Sequence, residues 1–122
     1  MSKNILVTGG ARFIGGNFIR FIKKNFPEHK ITCLDKCSYA SNYEFIIDYI
    51  DEMVTKDISK DISSVFLKKY DYIFNFAAES HVDNSIKDPS IFVKSNVLGT
   101  QNLLEHFRKA KYGKFIHIST DE

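Results

Sequence analysis

A glycine-rich run follows the first apolar segment of the chain, and an acidic residue follows the second. The run extends from Thr8 to Gly16. Asp35 comes about 20 residues after Gly15, which is the spacing of an acid that binds the adenosine ribose of a dinucleotide. Unpaired N–H groups at a helix N-terminus can hold the pyrophosphate. Gly9 suits the tight turn, and Gly15 suits close packing of a helix.

This spacing favours NAD over NADP, because a carboxylate at Asp35 would repel the 2′-phosphate of NADP. Glycines also serve ordinary turns, so a purely structural turn is the alternative interpretation of the run. The position of the run between a strand pattern and a helix pattern, with the acid in register, favours the dinucleotide site.

Five apolar runs of strand type alternate with helical patterns and predict the architecture that positions these residues. The runs are Ile5–Val7, Ile31–Leu34, Met53–Val54, Tyr72–Phe76 and Phe115–Ile118. Such alternation is typical of βαβ units, which form a parallel sheet with helices on both faces. We therefore predict an α/β fold with a doubly wound, Rossmann-like parallel sheet of strand order 3-2-1-4-5. Ligands would bind beyond the carboxyl ends of the strands, between strands 1 and 4.

Four helical patterns connect these strands. The first carries an apolar face and is stopped by Pro27. The second and third extend over Tyr43–Ile50 and Ile58–Tyr70. The apolar face of the first helix consists of Ile14, Phe18, Phe21 and Ile22. The apolar face of the fourth helix consists of Val93, Val97, Thr100, Leu104 and Phe107.

Several longer strings resemble one enzyme family. They are the Thr8–Gly15 turn, Asp35-Lys36 with Tyr39-Ala40, the string Phe76–Asp83, Asp88-Pro89, Asn96–Thr100 and Ser119-Thr120-Asp121-Glu122. Together they resemble the extended short-chain dehydrogenases/reductases and, more narrowly, the dTDP-glucose 4,6-dehydratase family. The resemblance covers all 122 residues but only the first part of the family's usual length. It therefore implies a single, incomplete (truncated) NAD-binding Rossmann domain over residues 1–122.

The resemblance implies NAD as the cofactor and assigns the residues around it. Asp35, Lys36, Cys37 and Ser38 would surround the adenosine ribose, and Asp57 and Ile58 would border the adenine. A helix cap is the alternative role of Asp57. The remaining cofactor residues implied are Thr8, Gly9, Arg12, Phe13, Ile14 and Gly15 near the first turn, Phe76, Ala77, Ala78, Glu79 and Ser80 after strand 4, and Ser95.

The resemblance also implies a dehydratase reaction on a sugar nucleotide, in the first instance dTDP-glucose. Asp121 would be the acid and Glu122 the base of a water elimination, with Thr120 near the C4 oxygen. Ser80 and Thr120 would contact the sugar nucleotide. Adjacent residues on an extended strand point to opposite sides, so the strand would have to bend for both carboxylates to face one sugar.

Two departures from the family pattern keep other functions open. Arg12 stands where the family has a glycine, and Asn84 where it usually has an arginine. The 122 residues also contain no Tyr-x-x-x-Lys motif, so we expect a polypeptide of these residues alone to be inactive. The alternatives are a non-catalytic dinucleotide-binding module and an NAD-dependent sugar-nucleotide epimerase, which needs no acid–base pair for elimination.

Composition excludes other classes of protein. Lys and Arg number 17 against 15 Asp and Glu, which is not the strongly basic balance of a nucleic-acid-binding domain. No apolar stretch approaches the about 18 residues of a membrane span. Cys33 and Cys37 cannot form a disulfide framework, and we expect reduced thiols, a cytoplasmic location and no metal site. An exposed fifth strand at the sheet edge could pair with another chain, so the protein could form a homodimer.

Overall fold

The computed structural model of the chain describes residues 2–11, 13–36, 43–76 and 94–118. Within these ranges five parallel strands form one sheet of order β3-β2-β1-β4-β5, which confirms the predicted topology. The strands are β1 (Asn4–Thr8), β2 (Lys30–Asp35), β3 (Glu52–Thr55), β4 (Tyr72–Asn75) and β5 (Lys114–His117). The two α-helices are α1 (Phe13–Asn25) and α2 (Thr100–Ala110).

The register of the sheet brings the carboxyl ends of the central strands to one edge. Thr8, the last residue of β1, pairs with Leu34 of β2 on one side and with Asn75 of β4 on the other. Residues 5–8 of β1 are buried, as a strand covered on both faces of a parallel sheet should be. The glycine turn that follows Thr8 therefore begins at the centre of the sheet, between strands 1 and 4.

Alternating side chains of the strands build two apolar cores, one on each face of the sheet. Leu6, Leu34 and Ile73 point to the face covered by α2, where Leu103 is buried among them. Ile5, Val7, Ile31 and Cys33 point to the face covered by α1, where they pack with Ile19 and Ile46. Helical cover on both faces confirms the doubly wound fold.

Helix α1 ends before Pro27 as predicted, but only part of its predicted buried face is correct. Phe18 and Ile22 pack against the core as predicted. Ile14 and Phe21 are each 57% exposed, and Ile19 is buried instead. The reason is that two glycines share the buried side of α1 with Ile19: Gly15 lies against the glycine turn, and Gly16 lies against the side chains of Phe45 and Ile46.

The fourth predicted helix is interrupted, and its predicted stripe is also partly wrong. A π-helical turn spans Lys94–Gly99 and α2 follows it, so the phase of the pattern changes between them. Val97 and Leu104 are exposed, and Leu103 is buried instead. Leu103 and Leu104 lie three and four residues after Thr100, and both spacings fit one face of a helix. Packing against the sheet buries Leu103. Val93 lies outside the described residues.

The second and third predicted helices are wrong in type and length. Only short 3-10 turns form there, at Tyr43–Phe45, Ile47–Tyr49 and Ser63–Leu67. In the third segment, Asp57 and Asp61 each accept hydrogen bonds from the N–H and hydroxyl of the serine two residues later. These local bonds compete with helical hydrogen bonds. No helix in the described part of the chain is long and apolar enough to cross a membrane.

Candidate cofactor site

The glycine turn after β1 includes a left-handed backbone conformation, which glycine adopts without steric strain. Gly9 has a φ of +73°, in the left-handed region where residues with a Cβ are strained. Its N–H donates to the carbonyl oxygen of Leu34 at 2.8 Å, so the turn is tied to the end of β2. The tight turn expected of Gly9 is therefore present.

Helix α1 lies against this turn at Gly15. A Cβ placed on Gly15 would lie 2.5 Å from the carbonyl oxygen of Gly9 and 3.1 Å from the Cα of Gly10. The close approach expected of Gly15 is thus present, and its partner is the turn itself. Phe13 and Ile14, predicted to lie along the dinucleotide, are exposed at the start of the helix, where the first N–H groups have no intrahelical partner.

The carboxylate of Asp35 faces the glycine turn from the end of β2. Asp35 is 3% exposed, and its Oδ2 accepts a hydrogen bond from the N–H of Ala11 at 3.1 Å. Its carbonyl oxygen accepts from the N–H of Lys56 at 3.2 Å, which ties this position to the end of β3. One residue therefore connects the turn after β1 with the loop after β3, along the edge where ligands of such sheets bind.

The loop after β3 is shaped by Asp57. Its Oδ1 accepts from the N–H and the hydroxyl of Ser59 at 2.9 and 2.8 Å, so the carboxylate closes a local turn and caps no α-helix. Partial burial alone would raise the pKa of Asp57, but the Ser59 hydrogen bonds and nearby lysine charges hold the pKa below its ordinary value. Lys36 is one of these lysines. The side chain of Ile58 is buried in the core, so only its backbone is available to a ligand.

A polar network at the centre of the sheet edge was missed by sequence reasoning. Asn75 is fully buried, and its Oδ1 accepts from the hydroxyl of Thr8 at 2.5 Å. Its Nδ2 lies 3.3 Å from Oγ1 of Thr100 and 3.0 Å from Nδ1 of His117, which therefore accepts. The network joins β1, β4, β5 and the start of α2. The available signal was a polar residue between two phenylalanines of an apolar run.

Replacing Asn75 by alanine should lower the free energy of unfolding by about 2–3 kcal/mol, because it leaves the buried hydroxyl of Thr8 without its acceptor and removes the contacts to Thr100 and His117. Urea unfolding measures the change. Asn25→Ala is the matched control, since the Asn25 amide donates to the carbonyl oxygen of Phe21 at 2.8 Å but is exposed. Equal losses in the two variants would contradict a special role of Asn75.

The structure brings the described part of the predicted site together at one sheet edge. The glycine turn contains Gly9, follows Thr8 and is contacted by Gly15 and Asp35. The N–H of Phe76 donates to the carbonyl oxygen of Thr8 at 2.8 Å, which places the end of β4 beside the same turn. Ser95 lies in the π-helical turn. The predicted residues outside the described ranges are Arg12, Cys37, Ser38, Ala77, Ala78, Glu79, Ser80, Thr120, Asp121 and Glu122. The described residues include no group of acidic, histidine or cysteine side chains that could hold a metal ion.

Solved structures of sugar-nucleotide enzymes share this architecture. A dTDP-glucose 4,6-dehydratase of Streptomyces venezuelae, solved with NAD bound, superposes with a TM-score of 0.85 at 39% identity over 98% of this chain and 40% of its own. A UDP-glucose 4-epimerase of Thermotoga maritima, solved with UDP-glucose, also gives a TM-score of 0.85, at 31% identity over 96% of this chain and 38% of its own.

Sequence comparison points to the same group of enzymes. The dTDP-glucose 4,6-dehydratase of Mycobacterium tuberculosis is 40% identical over 97% of this chain and 36% of its own length. The chain thus spans 40% or less of the length of each of these three relatives. Residues 5–122 match the model of the NAD dependent epimerase/dehydratase family. With its glycine turn, its acid after β2 and this match over nearly its whole length, the chain belongs to the NAD dependent epimerase/dehydratase family, whose cofactor is NAD.

Proposed function

We propose that this chain forms the NAD-binding part of a sugar-nucleotide 4,6-dehydratase that acts on dTDP-glucose. The observation that carries the proposal is the buried Asp35 carboxylate, held against the glycine turn by the N–H of Ala11. That placement puts an acid where adenosine ribose hydroxyls would need an acceptor. The dehydratase relatives support the choice of reaction.

The described residues suit the two ends of an adenosine diphosphate group. The turn at Gly9 and the N-terminus of α1 offer backbone N–H groups and a positive dipole end to the pyrophosphate. Asp35 would accept hydrogen bonds from the ribose hydroxyls, and its charge would repel a 2′-phosphate. The acid and the turn share a hydrogen bond, so one rigid unit would bind both groups.

When bound, NAD supplies a hydride acceptor for C4 of the sugar. The chain's own carboxylates would then perform the elimination, for which one must be protonated and the other ionised. By resemblance, Asp121 donates a proton to the leaving C6 hydroxyl, Glu122 removes the C5 proton, and Thr120 hydrogen-bonds near the C4 oxygen. The C4 ketone acidifies the C5 proton, so elimination follows oxidation. Return of the hydride to C6, with a proton to C5, would complete the 4-keto-6-deoxy product.

An epimerase is the second candidate, favoured by the likeness to the Thermotoga maritima enzyme. The adjacent carboxylates Asp121 and Glu122 weigh against it, because epimerisation at C4 eliminates no water. A binding module without catalysis would use the same glycine turn and Asp35. The reaction product therefore separates the three.

A chimera tests the proposal. Residues 1–122 would replace the matching first part of the Mycobacterium tuberculosis dehydratase, and the product formed from dTDP-glucose would be identified. We expect the 4-keto-6-deoxy product, and Glu122→Gln should reduce kcat by about 100-fold or more. A folded, NAD-binding chimera that forms only the C4 epimer, or no product, would overturn the dehydratase assignment.

Arg12 is the position where the glycine turn departs from the family pattern, and its replacement has a defined expectation. Arg12→Gly should tighten NAD binding, because the family's glycine at this point lets the backbone approach the pyrophosphate. Calorimetric titration of both proteins with NAD would measure it. Weaker binding by the glycine variant would show instead that the arginine contacts phosphate.

A further inference from the structure

One side chain of α2 holds the loop that follows β3. The Nδ2 group of Asn102 donates to the carbonyl oxygens of Ile58 and Lys60, both at 2.7 Å. Within this loop, residues 57–60, the N–H of Lys60 donates to the carbonyl oxygen of Asp57 at 2.9 Å. Both hydrogens of one amide therefore fasten a short turn that belongs to neither a strand nor an α-helix.

The strand order places this 57–60 loop where the base of a dinucleotide would lie. The pyrophosphate end belongs to the turn after β1, and the ribose belongs to Asp35 at the end of β2. Since β3 is the next strand in that direction, the base continues toward the loop after β3. The hydrogen bond from the N–H of Lys56 to the carbonyl oxygen of Asp35 shows that the two positions adjoin.

We propose that Asn102 is a positioning residue for the adenine end of the cofactor, acting through the 57–60 loop. The inference rests on the proposed NAD site and adds to it a residue from the opposite part of the chain. Asn102 can do this only as a donor, because both of its partners are carbonyl oxygens. An acceptor in the same place would repel both and release the loop.

The test compares two amide-to-carboxylate changes on one helix. Asn102→Asp keeps the shape of the side chain but removes both donors, whereas Gln101→Glu makes the same change in charge at an exposed neighbour. Dissociation constants would be measured for NAD and for its analogue with guanine in place of adenine, together with the melting temperature. Asn102→Ala, which adds no charge, serves if the aspartate variant does not fold.

We expect Asn102→Asp to weaken NAD binding by about tenfold or more, as loss of a directed donor pair would. We also expect it to reduce the preference for adenine over guanine, while Gln101→Glu changes neither. Unchanged NAD affinity, or equal weakening of both dinucleotides with a lower melting temperature, would overturn the inference. Failure of the unsubstituted protein to bind NAD would refute the proposed site itself, which is a different outcome.

Discussion

Replacing Gly15 by alanine is expected to weaken NAD binding by about 100-fold, equivalent to about 2.7 kcal/mol. The added Cβ would lie 2.5 Å from the carbonyl oxygen of Gly9, and this neighbour is backbone that cannot rotate away. Either α1 or the glycine turn must move. In both cases the N–H groups that would face the pyrophosphate lose their arrangement, and hydrogen bonds to charged groups contribute about 1.5–3 kcal/mol each.

Gly16→Ala is the matched control, one residue along the same helix. Both substitutions gain about 1 kcal/mol of helix propensity. A Cβ on Gly16 would lie 2.9 Å from Cδ2 of Phe45 and 3.2 Å from Cγ2 of Ile46, and both neighbours are side chains, which adjust more easily than backbone. Calorimetric titration with NAD should show little change for this variant. Equal affinity of the two alanine variants would contradict the close packing of helix and turn.

A polypeptide of these 122 residues is expected to show no turnover of dTDP-glucose, even with saturating NAD. Elimination requires a ketone at C4, because the C5 proton is otherwise too weak an acid for a carboxylate such as Glu122. Oxidation at C4 needs a base for the hydroxyl, and family resemblance assigns that role to a Tyr-x-x-x-Lys motif that these residues lack. Thr120 cannot substitute, because an unassisted hydroxyl is not basic.

The assay follows formation of the 4-keto product with the purified polypeptide and excess NAD. The Mycobacterium tuberculosis dehydratase would be the positive control, and the chimera described above would show that residues 1–122 are competent when completed. Product formed by the 122-residue polypeptide at a rate near that of the control would mean that the catalytic assignment is wrong.

The strands of this protein could be predicted from sequence, whereas two of the four helices could not. Apolar runs such as Ile31–Leu34 are short, bounded by polar residues and buried on both faces, so their pattern has one interpretation. The Ile58–Tyr70 segment has helical spacing, with Ile58, Ile62 and Val65 buried. Hydrogen bonds from Ser59 and Ser63 to preceding aspartates decide its structure, and periodicity does not reveal them.

Some residues of the candidate site could likewise be predicted from sequence, and others could not. Gly9, Gly15 and Asp35 could be predicted because each meets a strict requirement, namely a positive φ, a close approach or a charge at a strand end. Asn75 and Asn102 could not, because their partners are distant in sequence. Thr8 and Asn75 are 67 residues apart, and Asn102 and Ile58 are 44 apart. Only the packed sheet brings these groups together.

The central claim is that Asp35 and the glycine turn form an NAD site, and titration with NAD and NADP tests it most directly. Asp35→Asn is the informative variant, since its amide oxygen can still accept from the N–H of Ala11 while the charge is lost. We expect the unsubstituted protein to prefer NAD, and the variant to bind NAD about tenfold more weakly and lose most of its discrimination against NADP. Identical curves for both proteins with both dinucleotides would contradict the assignment.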